Sequence, residues 1–240
     1  MKGMTKKDAE YFRGKFISIA MPAYNEQDNI PIVVNDALKV LRSLTDKYEV
    51  LIVNDGSKDK TGKVLDELAK KDKHIRVIHF SRNKGVGFAN YTIYKKVRGE
   101  ILFWNASDNQ IRMKEIYTML PHIKNHDIVV GNRYKRKDSL MRRVVSRAFS
   151  TVILIRFGVP VRDVDSVKVF KTSVFKKINI NARNAFIESE ILIKARRQKL
   201  KILEVPINHY PRIRGKASGL NMRIVVPQLT EFLKYFFGLR

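Results

Sequence analysis

An α/β fold is what this 240-residue sequence predicts: one domain with a mostly parallel central sheet covered by helices on both faces. Three observations carry that expectation. Short apolar runs alternate with segments of helical period through the first half of the chain. The order of these segments, βαβα, is that of strands joined by crossover helices. The polar loops at 22–28, 54–60, 81–85 and 105–110 each follow an apolar run, and such sheets bind ligands at the carboxyl ends of their strands.

The first run, 16–21, stops at Pro22 and reads as a buried strand. Residues 29–45 carry Ile32, Val33, Ala37, Leu38, Val40 and Leu41 at helical spacing. A second strand, 48–53, ends at the turn Asn54-Asp55-Gly56-Ser57. A helix at 61–71, a strand at 74–80, a helix at 86–98 and strands at 100–104 and 127–130 come next. In the second half, 138–157 reads as a helix with an apolar stripe of Leu140, Met141, Val144, Val145, Ala148, Phe149, Val152 and Ile153. Arg142, Arg143 and Arg147 lie off that stripe. Helix 185–198 and strand 200–205 lead to a polar, basic loop at 207–219. The chain ends in an apolar, aromatic helix, 222–238, interrupted by Pro227. With no repeat or linker, residues 1–240 are expected to form a single domain.

Composition narrows the function. A hydrophobic fraction of 44% excludes a disordered or fibrous chain. The absence of cysteine excludes disulfides, thiolate metal sites and a cysteine nucleophile, and fits a reducing compartment. No stretch reaches the roughly 18 apolar residues of a membrane span, and the N-terminus lacks the apolar core of a secretory signal. A cytoplasmic location is therefore expected. The 48 Lys and Arg against 23 Asp and Glu give a net charge of +25. Residues 1–110 hold 20 basic and 14 acidic side chains, and the remainder holds 28 and 9. Solvated surface lysines explain the sum but not that asymmetry, which points the second half toward phosphates, acidic lipid or nucleic acid.

Three acidic loops follow strands one, two and four: Pro22-Ala23-Tyr24-Asn25-Glu26, Asn54-Asp55-Gly56-Ser57-Lys58-Asp59-Lys60-Thr61, and Asn105-Ala106-Ser107-Asp108-Asn109-Gln110. Each alone is ordinary turn or helix-cap chemistry. Three at successive strand ends favour a nucleotide and metal crevice.

These motifs resemble those of the inverting glycosyltransferases of family 2, which have the GT-A fold with its Rossmann-like sheet. Within the family the sequence is most similar to polyprenyl-phosphate sugar transferases of the dolichol-phosphate mannose synthase kind, over residues 16–220. The resemblance implies a nucleotide-sugar half at about 16–110 and an acceptor half at about 111–240. It implies that Pro22, Ala23, Tyr24, Glu26 and Asp55 hold the nucleobase and ribose, where carboxylates accept from base N–H and ribose hydroxyls. The family's metal motif reads Asp-Ala-Asp-Leu-Gln. Here Asp108 and Gln110 match it, Ala106 replaces the first Asp, and Asn105 is adjacent. Asp108 and Gln110 are thus the implied ligands of Mg²⁺ or Mn²⁺, the structural alternative for Asp108 being a helix cap.

The resemblance also implies that arginines grip the acceptor phosphate and the donor diphosphate. Arg133 lies in Gly131-Asn132-Arg133-Tyr134; Arg143 and Ser146 match an Arg-x-x-Ser; Arg212, Lys216 and Ser218 lie in a loop like Arg-x-x-Gly-x-Ser. The plain alternative is a solvated basic face. Asp163 and Lys168 are the matches in a segment one residue shorter than the family's Asp-x-x-Ser-Gly-Phe-Lys/Arg. Glu190 matches the late acidic residue, a general base for a hydroxyl acceptor and dispensable for an ionised phosphate; its alternative is a helix N-terminal carboxylate. His209 lies beside the basic loop, and Ser81-Arg82-Asn83-Lys84-Gly85 reads as a donor-side loop.

The implied function is transfer, with inversion, of one sugar from a GDP- or UDP-sugar to polyprenyl phosphate. The enzyme is expected to be peripheral at the cytoplasmic face of an anionic membrane, alone or through a membrane-anchoring partner protein, because the spanning helices that follow the catalytic domain in many relatives are missing here. Two alternatives stand beside it. One is transfer to a saccharide or small-molecule hydroxyl with Glu190 as base. The other is a basic nucleic-acid binder, which is disfavoured because the sequence lacks an RNA-binding aromatic signature, so nucleic acid is not an expected partner.

Overall fold

The structure, a computed structural model, describes residues 4–134, 140–211 and 222–238. Seven strands build one sheet: β1 (Ile17–Ala23), β2 (Tyr48–Asn54), β3 (Ile75–His79), β4 (Ile101–Trp104), β5 (Ile128–Tyr134), β6 (Lys168–Lys171) and β7 (Ile202–Asn208). Their order across the sheet is β3-β2-β1-β4-β6-β5-β7. All neighbours pair parallel except β6, which runs antiparallel to both β4 and β5. The sequence misses β6 because it is four residues long and opens on a lysine.

The continuous apolar runs arise from burial on both faces of the sheet. Ile17, Ile19 and Met21 of β1 share one core with Val50 and Ile52 of β2 and Ile101 and Phe103 of β4. Over that face lie α1 (Lys6–Arg13), α2 (Ile30–Leu44), α3 (Thr61–Lys71) and α5 (Ile116–Met119), contributing Phe12, Val33, Ala37, Leu41, Leu65 and Ile116. Ala20, Leu51, Val53, Leu102 and Trp104 point the other way. There they meet α4 (Val86–Lys96), α6 (Leu140–Phe157), α7 (Val174–Lys177), α8 (Ile187–Arg197) and α9 (Met222–Phe236). Helix α1 has no counterpart in the sequence pattern; Thr5 and Asp8 close a capping box at its start, and Phe12 is its buried anchor.

Helix α6 departs from the simple reading of an apolar stripe against a core. Of that stripe only Ile153 is buried, and Phe149 is half-buried. Leu140, Met141, Val144 and Val145 remain 72%, 69%, 58% and 52% exposed. Helix α9 continues through Pro227, whose carbonyl accepts from Asn184 Nδ2 (3.1 Å). It lies beside α6, with the Phe149 and Phe232 rings 5.6 Å apart and Arg156 Nη2 donating to the Phe236 carbonyl (3.0 Å).

The reversed direction of β6 changes which loops meet at the carboxyl edge. Trp104, the last residue of β4, faces Lys168, the first of β6. The loop 161–167 that feeds β6 therefore lies at the same sheet edge as the loops leaving β1, β2 and β4 and the carboxyl end of β5.

Candidate active site

The loop after β1 and the loop after β2 are stitched into one unit. Asn25 N donates to Ser57 Oγ (3.0 Å), Lys58 N to Asn25 Oδ1 (2.8 Å), Glu26 N to Thr61 Oγ1 (2.8 Å) and Lys60 N to Gln27 Oε1 (2.9 Å). Asn25 sits at φ 55, a left-handed conformation that asparagine tolerates. Tyr24 is exposed, Pro22 and Glu26 are half-buried, and Ala23 is buried.

Asp55 clamps a third loop. Its Oδ1 accepts from Lys84 N (2.7 Å) and its Oδ2 from Gly85 N (2.9 Å), joining 81–85 to the same edge. Burial pushes the Asp55 carboxyl up, against the two amides and the nearby Lys84 ammonium that pull it down. Gly56, at φ 62, passes so close that an added Cβ would meet the Arg82 carbonyl carbon at 2.3 Å, so only glycine fits this turn.

The loop after β4 is fixed at both ends. Ser107 Oγ donates to the Pro22 carbonyl (2.9 Å), and Tyr210 N donates to the Gln110 carbonyl (2.9 Å). Asn105 is buried and donates inward to the Ile111 carbonyl (2.9 Å), so it does not stand in for the carboxylate missing at Ala106. Asp108 closes an Asx turn by accepting from Gln110 N (3.1 Å). It caps no helix: the next helical segment, Met113–Glu115, has Arg112 at its N-cap with no side-chain bond. Asp108 and Gln110 thus leave one tight turn at the sheet edge, both half-buried, and offer hard oxygen donors of the kind Mg²⁺ and Mn²⁺ take. Beside this turn Arg112 stacks on the Tyr210 ring at 4.3 Å, and Glu115 accepts from Asn208 Nδ2 (3.1 Å). These contacts hold the start of the basic loop next to the Asp108 turn, with His209 buried between.

In the second half Arg133 forms a bidentate pair with Asp163, Nε to Oδ2 at 2.7 Å and Nη2 to Oδ1 at 2.6 Å. Asp163 thereby fixes the plane of the guanidinium. Glu204 holds the loop behind this pair, accepting from Arg162 N (2.7 Å), Asp163 N (3.0 Å) and Asn132 Nδ2 (3.1 Å). Burial pushes the Glu204 carboxyl up despite these donors. Arg143 is exposed on α6 and Ser146 half-buried. Arg212, Lys216 and Ser218 lie outside the described residues.

Two expected roles are corrected by burial. Lys168 is 0% exposed, and its Nζ donates to Glu188 Oε2 (2.8 Å) and to the Ser166 carbonyl (2.8 Å), so it cannot reach a donor diphosphate. Glu190, also 0% exposed, accepts from Asn181 N (3.0 Å), Ala182 N (2.7 Å), Lys194 Nζ (2.8 Å) and Tyr235 Oη (2.6 Å). Burial alone would raise its carboxyl; the bonds from Lys194, Tyr235 and the two amides outweigh that and hold it below the ordinary range. A carboxylate so engaged is a clamp between α8, α9 and the 181–182 segment, not a general base. Sequence reasoning passes over Glu188, Glu204 and Glu115. Helical or strand periodicity marks a buried position, but it does not say that a buried acid has found a donor.

A sequence profile described as Glycosyl transferase family 2 matches residues 18–187. The chain is 31% identical over 224 residues to a dolichyl-phosphate beta-glucosyltransferase, ALG5A, of Trichomonas vaginalis, covering 85% of this chain and 69% of that protein. It is 26% identical over 215 residues to an undecaprenyl-phosphate 4-deoxy-4-formamido-L-arabinose transferase of Photorhabdus laumondii, covering 88% and 65%. The chain thus spans about two thirds of the length of these curated relatives. Among solved structures, glucosyl-3-phosphoglycerate synthase of Mycobacterium tuberculosis in complex with Mn²⁺ and UDP-glucose superposes with a TM-score of 0.71 at 18% identity, covering 96% of this chain and 84% of that one. That likeness establishes the shared fold.

Proposed function

Because this chain belongs to glycosyl transferase family 2, we propose that it transfers one sugar, with inversion, from a nucleoside diphosphate sugar to a polyprenyl phosphate. The observation that carries this reading is the joining of the 22–28, 54–60, 81–85 and 105–110 loops into one hydrogen-bonded cluster at the carboxyl edge of the sheet. The names of the two relatives above, both transferases acting on a polyprenyl phosphate, support the acceptor.

In this reading the nucleobase and ribose lie against Pro22, Ala23, Tyr24 and Glu26, with Asp55 holding the floor in place. Asp108 and Gln110 would hold Mg²⁺ or Mn²⁺, which offsets the charge on the departing diphosphate. A single carboxylate makes a thin ligand set, suited to an ion that arrives with the diphosphate. Arg133, oriented by Asp163, and Arg143 and Arg212 receive phosphate oxygens. An oxygen of the acceptor phosphate attacks the anomeric carbon as the bond to the diphosphate breaks on the opposite face. The acceptor is already ionised, so no general base is required, in keeping with the burial of Glu190.

The exposed apolar side chains of α6 and α9 form the membrane-facing surface in this reading. Leu140, Met141, Val144 and Val145 stand beside exposed Arg143 and Arg147, a pairing suited to an in-plane helix on anionic lipid. No helix among the described residues is long and apolar enough to cross a membrane.

The test is a panel of UDP- and GDP-sugars with Mn²⁺, read first by thermal stabilisation and then by sugar transfer to a polyprenyl phosphate. One donor is expected to stabilise the protein and be transferred, and Asp108→Ala is expected to lower transfer by about 10²-fold or more, as single electrostatic deletions do. Absence of stabilisation by every donor, or full activity in Asp108→Ala, overturns the reading.

A further inference from the structure

Asn54, the last residue of β2, holds the turn after it with its own side chain. The Ser57 N–H donates to Asn54 Oδ1 (3.1 Å), which fixes the oxygen end of that amide, because an N–H set against the NH₂ end would be repelled. The NH₂ end therefore faces His79 Nδ1, 2.9 Å away. A donor at that position requires Nδ1 to carry no proton. The hydrogen then sits on Nε2, which donates to Asp66 Oδ1 of α3 (3.1 Å). These bonds hold His79 as a neutral ring in one tautomer.

What the ring supports lies at the carboxyl edge. Ser57 Oγ accepts from Asn25 N (3.0 Å), and Lys58 N donates to Asn25 Oδ1 (2.8 Å), so the 54–57 turn positions the loop after β1. A relay of hydrogen bonds thus runs from Asp66 through His79, Asn54 and Ser57 to Asn25. Asn54 is 5% exposed, and α3 closes over its contact with the ring: a Cβ on Gly62 would stand 3.3 Å from Asn54 Nδ2 and 3.8 Å from His79 Nδ1.

A second proton on the ring breaks this relay. Nδ1–H would meet the Asn54 NH₂, donor against donor. Turning the amide over gives the ring an acceptor and takes it from Ser57 N. Either way a buried group loses a bond. The Asp66 carboxylate favours the charged ring, but it is 61% exposed and the ring 38%, so water screens that attraction. Other charged groups on the surrounding elements are engaged elsewhere. Arg76 of β3 donates to Glu49 (3.1 Å), Lys84 lies over the Phe80 and Phe88 rings, Asp59 accepts from Thr61 N, and Asp55 accepts from Lys84 N and Gly85 N. The exposed Lys58, Lys60, Lys63, Glu67, Lys70 and Arg82 make no bond to the ring.

We propose that His79 is a positioning residue for the nucleotide-facing loops, and that its protonation loosens the 54–57 turn and weakens nucleotide binding. The holding bond is present above the histidine range, about pH 5–8, and is lost as pH falls through it. The effect on binding rests on the reading of these loops as a nucleotide site; the relay itself does not. The test has two arms. Long-range ¹H–¹⁵N NMR of the protein alone follows the His79 ring, assigned by its loss in His79→Gln, together with the Ser57 amide from pH 8 to pH 5. The Nε2–H tautomer is expected at pH 8, and the Ser57 amide is expected to shift with the midpoint of the ring. Calorimetry with UDP and GDP in the presence of Mn²⁺ then compares pH 8 with pH 5 in the wild type, His79→Gln and Asn54→Asp. The side chain of His79→Gln does not titrate, so that variant carries any effect of the nucleotide's own phosphates. Beyond that reference, the wild type is expected to lose about tenfold in affinity, the scale of one lost hydrogen bond. Asn54→Asp is expected to cancel the extra loss, since a carboxylate accepts from Ser57 N and a protonated ring together. An Nδ1–H tautomer at pH 8, or a Ser57 amide indifferent to the ring, overturns the relay. Equal losses in the wild type and His79→Gln overturn the role of His79 in binding and leave the nucleotide reading standing. A wild type that binds neither nucleotide, with a Ser57 amide that follows the ring, overturns the nucleotide reading and the effect on binding with it, while the relay stands.

Discussion

Glu190 shows how a matched residue type differs from a matched role. Its carboxyl lies below the ordinary value of 4.5, so its contribution to stability is fully present above that value and is lost as pH falls through the lowered folded value. Glu190→Gln should therefore narrow the stability gap between pH 7 and pH 3, measured by urea unfolding at both; an unchanged gap would contradict the clamp. Glu188 makes the complementary case. Glu188→Ala strands the fully buried Lys168 ammonium and removes the acceptor of Asn90 and Tyr94, with an expected loss of about 3–5 kcal/mol in the same assay. At this scale the sequence is legible where a short motif dictates its own turn. The Asp55 and Asp108 turns stand at their strand ends, where the motifs put them. What Asp55, Lys168 and Glu190 touch is only partly legible, because partners at residues 84–85, 188 and 235 are distant in sequence and no local pattern encodes those distances.

Among the elements, strands and helices with continuous or strongly periodic apolar residues are readable: β1, β2, β4, α2 and α3 lie within a residue or two of expectation. Strands β5 and β7 run further than their apolar stretches, to Tyr134 and Asn208, because ladder bonds between them persist after the apolar residues end. The apolar stripe of α6 fits a helix that faces a core and one that faces lipid equally well, since periodicity reports a face and not its neighbour. With the outer side of α6 exposed beside α9, pelleting with liposomes containing anionic lipid is expected at low salt and much less at high salt, where the Debye length shrinks to about 3 Å near 1 M. Charge-reversed Arg143→Glu/Arg147→Glu should pellet weakly at either salt. Equal pelleting of that variant would remove the arginines from the account.

Across the whole molecule, the uneven charge is the feature that composition reports most directly. Residues 1–110 carry +6 of the charge, and residues 111–240 carry the other +19 of the +25. So cationic a second half raises the local concentration of anionic partners and speeds their encounter, at a rate that salt lowers. The two cores lie on opposite faces of one continuous sheet, and each draws on both halves of the chain.

The antiparallel insertion of β6 has a further consequence. In a purely parallel sheet only departing segments border the carboxyl edge, and each is tied to the helix after it. One strand run backwards admits an arriving segment as well, bounded by an irregular approach rather than a packed helix. On the proposed reading, mutational drift in that stretch would retune what the edge accepts while the loops after β1 and β2 stay untouched.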